Sequence, residues 1–491
     1  MSSPFLNTLL VCSGTAALAT LLGLWLALLT VCFRVPMHRW MSTIVLSLIL
    51  IPIYVQATAW SAGFGVQGWF RLSQVSAALS PSTAIASVVW IHAMAATPVC
   101  FLLCALGVKR SFDSNCRQAL LDFGPGFATF SVLIPKLWPW IAAGAIWTIA
   151  MTGNDMVVTN LFQVPTITET VYQQVQFNEL NKSAIGLACS FAIAIGMTVL
   201  VLAWRFQSRI GGEKSESTSS CVQAFELRGV LRWLGALLGW AIVSMVAIIP
   251  FANLIVKAGY FATMDNGEIR RGWSALMLVQ SIVQSKTFLN EFSWSVQLSL
   301  YASALALVLG VVLVGCVKAQ WSTWLAIGLM AFLLALPGPI INLMVISLLD
   351  RREPAWVGFL ADRTLFGPIL ALQSRCLPIV FGVLWLAKRR FTANNDRLLQ
   401  LDKGLPYLTR TWILMKAMLN PLVVALVVAF FVSFADLSSY LLVQPPQVTT
   451  VAMRMFDLLH YGIKNRESGL ALTLVIASAI PTLLVVRRLD G

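Results

Sequence analysis

Long apolar stretches separated by short polar segments run along the whole chain. Each stretch has about 18 residues or more, or nearly so, which is the length that crosses roughly 30 Å of hydrocarbon as a helix. A helix also satisfies its own backbone polar groups in lipid. Eleven such stretches lie at 5–33, 41–66, 83–107, 138–154, 184–204, 229–256, 292–317, 323–349, 367–387, 421–435 and 468–486. The pattern therefore predicts an all-α polytopic membrane protein with about 11 transmembrane helices.

The composition excludes an ordinary soluble enzyme. Hydrophobic residues make up 58% and charged residues 11% of the 491 positions, against about 45–50% and about 25% in soluble domains. The nine cysteines include no Cys-x-x-Cys pair, and the three histidines form no ligand-spaced cluster. We therefore expect neither a metal site nor an enzymatic centre in this chain. The Gly-x-x-x-x-Gly-Lys-[Ser/Thr] phosphate loop does not occur in the sequence, so an ATPase would have to be another polypeptide.

The net charge of +14 is better explained by membrane topology than by binding to nucleic acid. Cytoplasmic loops of membrane proteins carry an excess of Lys and Arg. With the N-terminus outside and eleven alternating spans, most of the 34 basic residues fall on the inner side and the C-terminus is cytoplasmic. Residues 1–4 lack a basic n-region, so we expect the first span to be a retained helix and not a signal peptide.

The sequence contains a parallel internal repeat with offsets of 280 to 287 residues. The matches pair 17–23 (Ala-Leu-Ala-Thr-Leu-Leu-Gly) with 304–310 (Ala-Leu-Ala-Leu-Val-Leu-Gly), 121–125 (Leu-Asp-Phe-Gly-Pro) with 401–406 (Leu-Asp-Lys-Gly-Leu-Pro), and Asp155, Gln163 and Pro165 with Asp436, Gln444 and Pro446. The Ser- and Gly-rich stretch 205–228 is the expected cytoplasmic linker. We predict a first half of five helices over 1–204 and a second half of six over 229–491, because span 229–256 has no counterpart.

The two longest amphiphilic inner loops, 108–137 and 388–420, carry the second of these matches. Gly124 and Gly404 permit a turn with positive φ or a close approach by another backbone, and the prolines that follow stop the preceding helix. One interpretation is a knob that docks in a cytosolic partner. The other is a basic segment that binds anionic lipid head groups, although lipid attraction does not require a repeated Leu-Asp-x-Gly.

Both loops resemble the Glu-Ala-Ala coupling loop of the membrane permeases of binding-protein-dependent ABC importers. The residues that carry the resemblance are Gln118, Ala119, Asp122, Gly124 and Pro135 in the first loop, and Asp402, Gly404, Pro406 and Lys416 in the second. Gln118 stands where the family has Glu, and Lys416 begins the pair that replaces its Leu-Pro. Two halves fused in one chain are similar to the iron(III)-type and thiamine-type permeases of this family.

The resemblance implies a type I ABC importer permease fold in the bacterial inner membrane. It implies that each coupling loop inserts into a cleft of one subunit of a cytosolic ATPase dimer, which binds the ATP and Mg. The second implied partner is a periplasmic or lipid-anchored solute-binding protein, expected at the outer segments 156–183 and 437–467. Iron(III) is the first choice of substrate, with thiamine, a polyamine or a phosphonate open. The rival is a secondary transporter driven by an ion gradient, although such folds often use inverted repeats.

Three charged residues are candidates for the translocation pathway or its gate. Arg375 lies near the middle of the span 367–387, and a mid-bilayer Arg costs at least about 2.5 kcal/mol on insertion scales. It either lines the pathway, or satisfies the carbonyls freed by Pro378 or pairs with an acid such as Asp436. Asp155 and Asp436 occupy equivalent outer ends of their spans, where they either attract a cation or are ordinary surface carboxylates.

Overall fold

The computed structural model describes residues 3–65, 68–69, 81–177, 182–211, 227, 229–265, 268–284, 288–317, 319–349, 358–360, 363–401, 407–461 and 465–490. Nearly all of them are helical. The helices are α1 Pro4–Ala27, α2 His38–Ser47, α3 Ile53–Phe64, α4 Pro81–Ser111, α5 Ser114–Phe127, α6 Ile134–Asn154, α7 Val157–Leu161, α8 Ile167–Gln176, α9 Lys182–Gly211, α10 Val230–Val243, α11 Ile249–Gly259, α12 Ala275–Gln284, α13 Leu289–Cys316, α14 Gln320–Ala335, α15 Gly338–Leu349, α16 Phe366–Leu401, α17 Tyr407–Ala435, α18 Val451–Tyr461 and α19 Asn465–Asp490. An antiparallel hairpin, β1 Tyr260–Asp265 and β2 Glu268–Trp273, precedes α12. The apolar pattern does not predict this hairpin.

Eight helices within the described ranges are long and apolar enough to cross a membrane, or nine if one bent pair is counted as a span. The eight are Pro4–Cys32, Pro81–Ser111, Ser114–Asn154, Lys182–Arg205, Val230–Gly259, Leu289–Cys316, Phe366–Arg389 and Met418–Ala435. The protein is therefore a multi-pass membrane protein built from α-helices. The predicted span 41–66 is divided between the shorter helices α2 and α3, and the predicted span 468–486 lies within α19; neither is among the eight counted over the described residues.

Two predicted spans are interrupted at a proline. The span 323–349 forms α14 and α15, which are bent by 103° at the break. The span 41–66 forms α2 and α3, with Pro52 directly before α3. Proline has no backbone N–H and disfavours a helical conformation in the residue before it. Pro337, which separates α14 from α15, lies at the position that the repeat pairs with Pro52.

The described helices form two compact units. Unit 1 comprises Met1–Thr170, Thr218–Asn290 and Met453–Gly491, and unit 2 comprises Val171–Ser217 and Glu291–Ala452. The chain thus passes from unit 1 to unit 2 after Thr170 and after Asn290, and it returns after Ser217 and after Ala452. Within unit 2, α9 packs on α14, and within unit 1, α19 packs on α2 and α3. The last helix of each predicted half therefore packs on the interrupted span of the other half.

The glycines that end the first repeat match make the same kind of helix contact in each unit. In unit 1, a Cβ on Gly23 of α1 would lie 2.7 Å from Cys100 Cβ and from the Phe101 backbone nitrogen of α4. In unit 2, a Cβ on Gly310 of α13 would lie 2.6 Å from Val380 Cγ1 of α16. Each pair of helices approaches closely because the glycine has no side chain.

A hydroxyl near the start of α1 and another near the start of α13 also have equivalent roles. Thr8 Oγ1 accepts a hydrogen bond from the Ile167 backbone N–H at 2.9 Å, at the start of α8. Ser295 Oγ accepts one from the Val451 backbone N–H at 2.8 Å, at the start of α18. Each bond satisfies an N–H that has no partner inside its own helix.

Candidate functional site

The first predicted coupling loop forms a helix with a sharp internal break. Asp113 caps the start of α5 by accepting a hydrogen bond from the Cys116 N–H at 3.1 Å. At Gly124 the backbone has φ 81° and ψ 176°, a region that is essentially restricted to glycine. A Cβ built on Gly124 meets no atom within 4 Å. Backbone conformation, and not a lack of space, therefore requires glycine at this position.

One face of α5 is anchored in a core and the other is an exposed apolar surface. Cys116 and Ala119 pack into a buried cluster of unit 1. Leu121, Phe123 and Phe127 are exposed, Leu121 by 80%, and the rings of the two phenylalanines lie 4.8 Å apart. We call Leu121, Phe123 and Phe127 the apolar knob. A rigid helix thus presents three large apolar side chains around the Gly124 break.

The remaining predicted residues of this loop lie around the knob. Gln118 and Asp122 are exposed on α5, and Pro135 is exposed in the first turn of α6. Lys136, the next residue, bonds both carboxylate oxygens of Asp113, at 2.6 and 2.8 Å, and so ties the start of α6 to the start of α5. Partial burial raises the pKa of Asp113. The hydrogen bonds from Lys136 and from the Cys116 N–H together lower the pKa by more than burial raises it, so the pKa of Asp113 lies below its usual range.

The second predicted coupling loop falls largely outside the described residues. Asp402, Gly404 and Pro406 are not among them. Lys416 lies in α17, where the backbone is described and its side chain is not.

Arg375 is buried at the interrupted span of unit 2. Its Nη1 and Nη2 donate to the carbonyls of Leu334 and Leu336 at 2.6 and 3.0 Å, at the end of α14 where the helix cannot satisfy them. Its Nε donates to Ser439 Oγ at 3.0 Å and lies 3.6 Å from Asp436 Oδ2. Arg375 thus joins the α14 break to the turn that follows α17.

Asp436 also organises this turn. Its Oδ1 accepts from Ser438 Oγ at 3.1 Å and from the Ser439 N–H at 3.3 Å. With its side chain only 12% exposed, the carboxylate is already engaged by a cation and two hydrogen-bond donors. This environment differs from that of an ordinary surface carboxylate.

Asp155 has a matching arrangement in unit 1, with a histidine in place of the arginine. Asp155 Oδ2 lies 3.1 Å from His92 Nε2 and accepts from the Val158 N–H at 2.9 Å. The side chains of His92 and Asp155 are 2% and 9% exposed. The backbone N–H three residues after the acid is capped in both units, and the basic side chain comes from α4 in one unit and from α16 in the other.

Sequence reasoning missed His92. It lies in an apolar span, and a lone histidine there has no ligand partner within reach along the sequence. The available signal was the repeat itself: because Arg375 on α16 was a candidate partner for Asp436, the corresponding helix α4 could have been searched for a partner of Asp155.

Within the described ranges, no group of three or more His, Cys, Asp and Glu side chains could hold a metal ion. No protein-family model and no curated protein matches this chain.

Proposed function

We propose that the chain is the membrane permease of a binding-protein-dependent ABC importer, with two fused halves of five and six transmembrane helices. The observation that carries the proposal is the apolar knob. An amphiphilic helix is anchored by Cys116 and Ala119, broken at Gly124, and exposes large apolar side chains on a loop that we predict to lie on the inner side. Exposed apolar patches of this kind mark protein–protein or membrane interaction sites. A cytosolic ATPase subunit is the partner that the coupling-loop resemblance supplies.

Repeated contacts support the two-half arrangement. The Gly23 and Gly310 helix contacts and the Thr8 and Ser295 capping bonds recur about one repeat length apart. The buried pairs of an acid with a basic side chain recur in the same way. A parallel repeat places equivalent loops on the same membrane face, as two docking loops for an ATPase dimer require.

In this proposal the protein lies in the bacterial inner membrane, with its N-terminus outside and its C-terminus in the cytoplasm. ATP and Mg bind to the ATPase dimer, and closure of that dimer is transmitted through both inner loops. A periplasmic or lipid-anchored solute-binding protein delivers the substrate. Iron(III) remains our first choice of substrate, followed by thiamine, a polyamine or a phosphonate.

The second candidate is a secondary transporter driven by an ion gradient. The observation that favours it is the buried His92–Asp155 pair, since proton-coupled transporters use Asp, Glu and His inside their membrane domains. The exposed knob on an inner loop has no role in that mechanism, so we place this candidate second.

Co-purification of ATP hydrolysis with the full chain tests the proposal. The tagged chain is purified in nanodiscs from the cells that make it, and phosphate release from Mg-ATP is measured. We expect activity with the native chain, loss of most of it with Leu121→Asp/Phe123→Asp, and full retention with Ser131→Asp, an exposed position outside the knob. Equal activity in all three preparations would contradict the proposal.

Uptake by whole cells separates the two candidates. Cells that make the native chain are given radiolabelled iron(III) and each of the other three substrates. ATP depletion at a maintained membrane potential should stop uptake by an ABC importer, whereas a protonophore at maintained ATP should not. The reverse result would support the secondary transporter.

A further inference from the structure

His92 lies on α4 with both ring nitrogens facing acceptors. Its Nδ1 lies 2.8 Å from the Val88 carbonyl oxygen, and its Nε2 lies 3.1 Å from Asp155 Oδ2. A carbonyl oxygen has no proton to donate. A neutral imidazole carries one N–H, so it can satisfy only one of these contacts unless the carboxyl group supplies a proton.

Both contacts are hydrogen bonds only if the pair holds one more proton than a neutral imidazole and a free carboxylate hold together. That proton lies either on His92, as an imidazolium beside a carboxylate, or between the two groups. In unit 2 the equivalent acid faces Arg375, and arginine keeps its proton at any physiological pH. The two equivalent pairs therefore differ in one property: the pair in unit 1 can lose its proton.

We infer that His92 and Asp155 form a proton-binding site that holds the turn at the start of α7, whereas Arg375 and Asp436 hold the equivalent turn of unit 2 permanently. Asp155 is the link, since its Oδ2 accepts from both His92 and the Val158 N–H. With the proton bound, the negative charge of the Asp155 carboxylate is compensated and the carboxylate is held in place. When the proton is lost, a buried carboxylate remains without a counter-charge, and the cap on α7 weakens.

Asp155 is the charged group that faces His92. Of the helices that pack on α4, α1, α3 and α7 contain no charged residue. Arg39, with His38, lies in α2, and Lys136 lies at the start of α6, the end opposite Asp155. The uncharged titratable groups on α1 and α3 are Cys12 and Tyr54.

A second histidine approaches α7 and has to be separated from His92 in any test. Asn160 of α7 donates from Nδ2 to Glu169 Oε1, and its Oδ1 lies 2.6 Å from His460 Nε2. His460 Nδ1 lies 2.8 Å from the Phe456 carbonyl. Proton loss at His460 could therefore also affect α7, through Asn160.

Hydrogen exchange on the purified full chain in nanodiscs tests the inference, and it does not require the transport function to be known. Deuterium uptake is followed from about pH 5 to about pH 8, the range in which an ordinary histidine changes charge. Protection is calculated after correction for intrinsic exchange at each pH. The peptide that covers 155–162 reports on the His92 pair, and the peptide that covers 436–443 of the same molecule is the internal reference for the Arg375 pair.

Protection of 155–162 should fall by about tenfold or more as the pH rises, the factor expected for loss of one charge-assisted hydrogen bond. Protection of 436–443 should change by less than about twofold, because arginine does not titrate. His92→Gln should remove the pH dependence of 155–162, and His460→Gln should leave it in place. Unchanged protection of 436–443 in each variant shows that unit 2 remains folded.

Two results would overturn the inference. One is an equal pH response of the two peptides in the native chain, a comparison that needs no variant to fold. The other is loss of the pH response in His460→Gln with retention in His92→Gln, which would assign the proton to the His460 network.

Discussion

Arg375 Nε lies 3.6 Å from Asp436 Oδ2 in unit 2, and neither side chain is more than 12% exposed. A buried charge is tolerated only when it is paired and hydrogen-bonded. Arg375 meets this requirement with three hydrogen-bond acceptors, two carbonyls and one hydroxyl, and with a carboxylate at ion-pair distance. The pair therefore fixes the α14 break and the turn after α17 in a single arrangement.

Removal of either partner alone should lower the free energy of unfolding strongly. Removal of both should lower it by less than the sum of the two single effects. Arg375→Met leaves a buried carboxylate and two carbonyls unpaired, and a loss of about 3–5 kcal/mol in the free energy of unfolding is expected for such a change. Thermal unfolding in detergent measures the effect, with exposed Arg363→Met as the matched control. Arg375→Met/Asp436→Asn should lose less than the sum of the single losses; strict additivity would contradict the pairing.

The helix contact at Gly23 predicts a second stability effect. A methyl group on Gly23 would meet the α4 backbone at Phe101, which cannot move aside, whereas one on Gly310 would meet side-chain atoms of Val380 and Leu384. Gly23→Ala should therefore cost about 1–3 kcal/mol through overpacking, and Gly310→Ala less. Gly186→Ala on α9, where a Cβ meets nothing within 4 Å, is the control and should be neutral or slightly stabilising. The melting temperatures of the three variants test this order.

The Gly124 break predicts an effect on function with little effect on folding. Gly124→Ala places a Cβ on a backbone at φ 81° and ψ 176°, at a cost of about 1–3 kcal/mol that can be relieved by straightening the loop. Straightening moves Phe127 relative to Leu121 and so changes the shape of the apolar knob. Under the proposed permease function, uptake in cells should fall severalfold while the amount of inserted protein stays unchanged.

Gly126→Ala is the matched control for Gly124→Ala. Gly126 also has open space around its Cβ position, but it does not have a positive φ. Full uptake with Gly126→Ala and reduced uptake with Gly124→Ala would assign the effect to backbone conformation. Equal uptake in the two variants would exclude a role for the break in coupling.

The sequence predicts where apolar helices lie but not which of them are interrupted. Pro98 and Pro378 lie inside α4 and α16, which continue through them, whereas Pro52 and Pro337 lie in the breaks between two helices. Proline is thus not sufficient to predict a break. At Pro337 the difference is tertiary, because Arg375 supplies donors to the carbonyls at the end of α14. That information lies 39 residues away in the sequence.

The sequence also predicts some residues of the candidate site but not the contacts between them. The position of Gly124 in a Leu-Asp-x-Gly match before proline indicates a turn that needs glycine, and its φ is positive. The repeat places Asp155 and Asp436 in equivalent positions, and both carboxylates cap the backbone three residues later. The sequence does not determine which basic side chain pairs with each acid, because the pairing depends on which face of α4 and of α16 turns toward that acid.

The Asp113–Lys136 pair predicts an acid-sensitive start of α5. The pKa of Asp113 is lower in the folded protein than in the unfolded chain, where it is about 3.9. The stabilisation by this carboxylate is therefore complete above that pH and is lost as the pH falls through the lower, folded-state pKa. Because both side chains are partly exposed, solvent screening limits the contribution to about 1 kcal/mol or less.

Limited proteolysis near Arg117 measures this local opening. Cleavage of native protein should accelerate below about pH 4, and Asp113→Asn should be cleaved faster at neutral pH with little further acceleration in acid. Because proteases differ in their own pH optima, rates are compared with Asp122→Asn, an exposed acid on the same helix. Equal cleavage of Asp113→Asn and Asp122→Asn at neutral pH would show that the pair does not hold the start of α5.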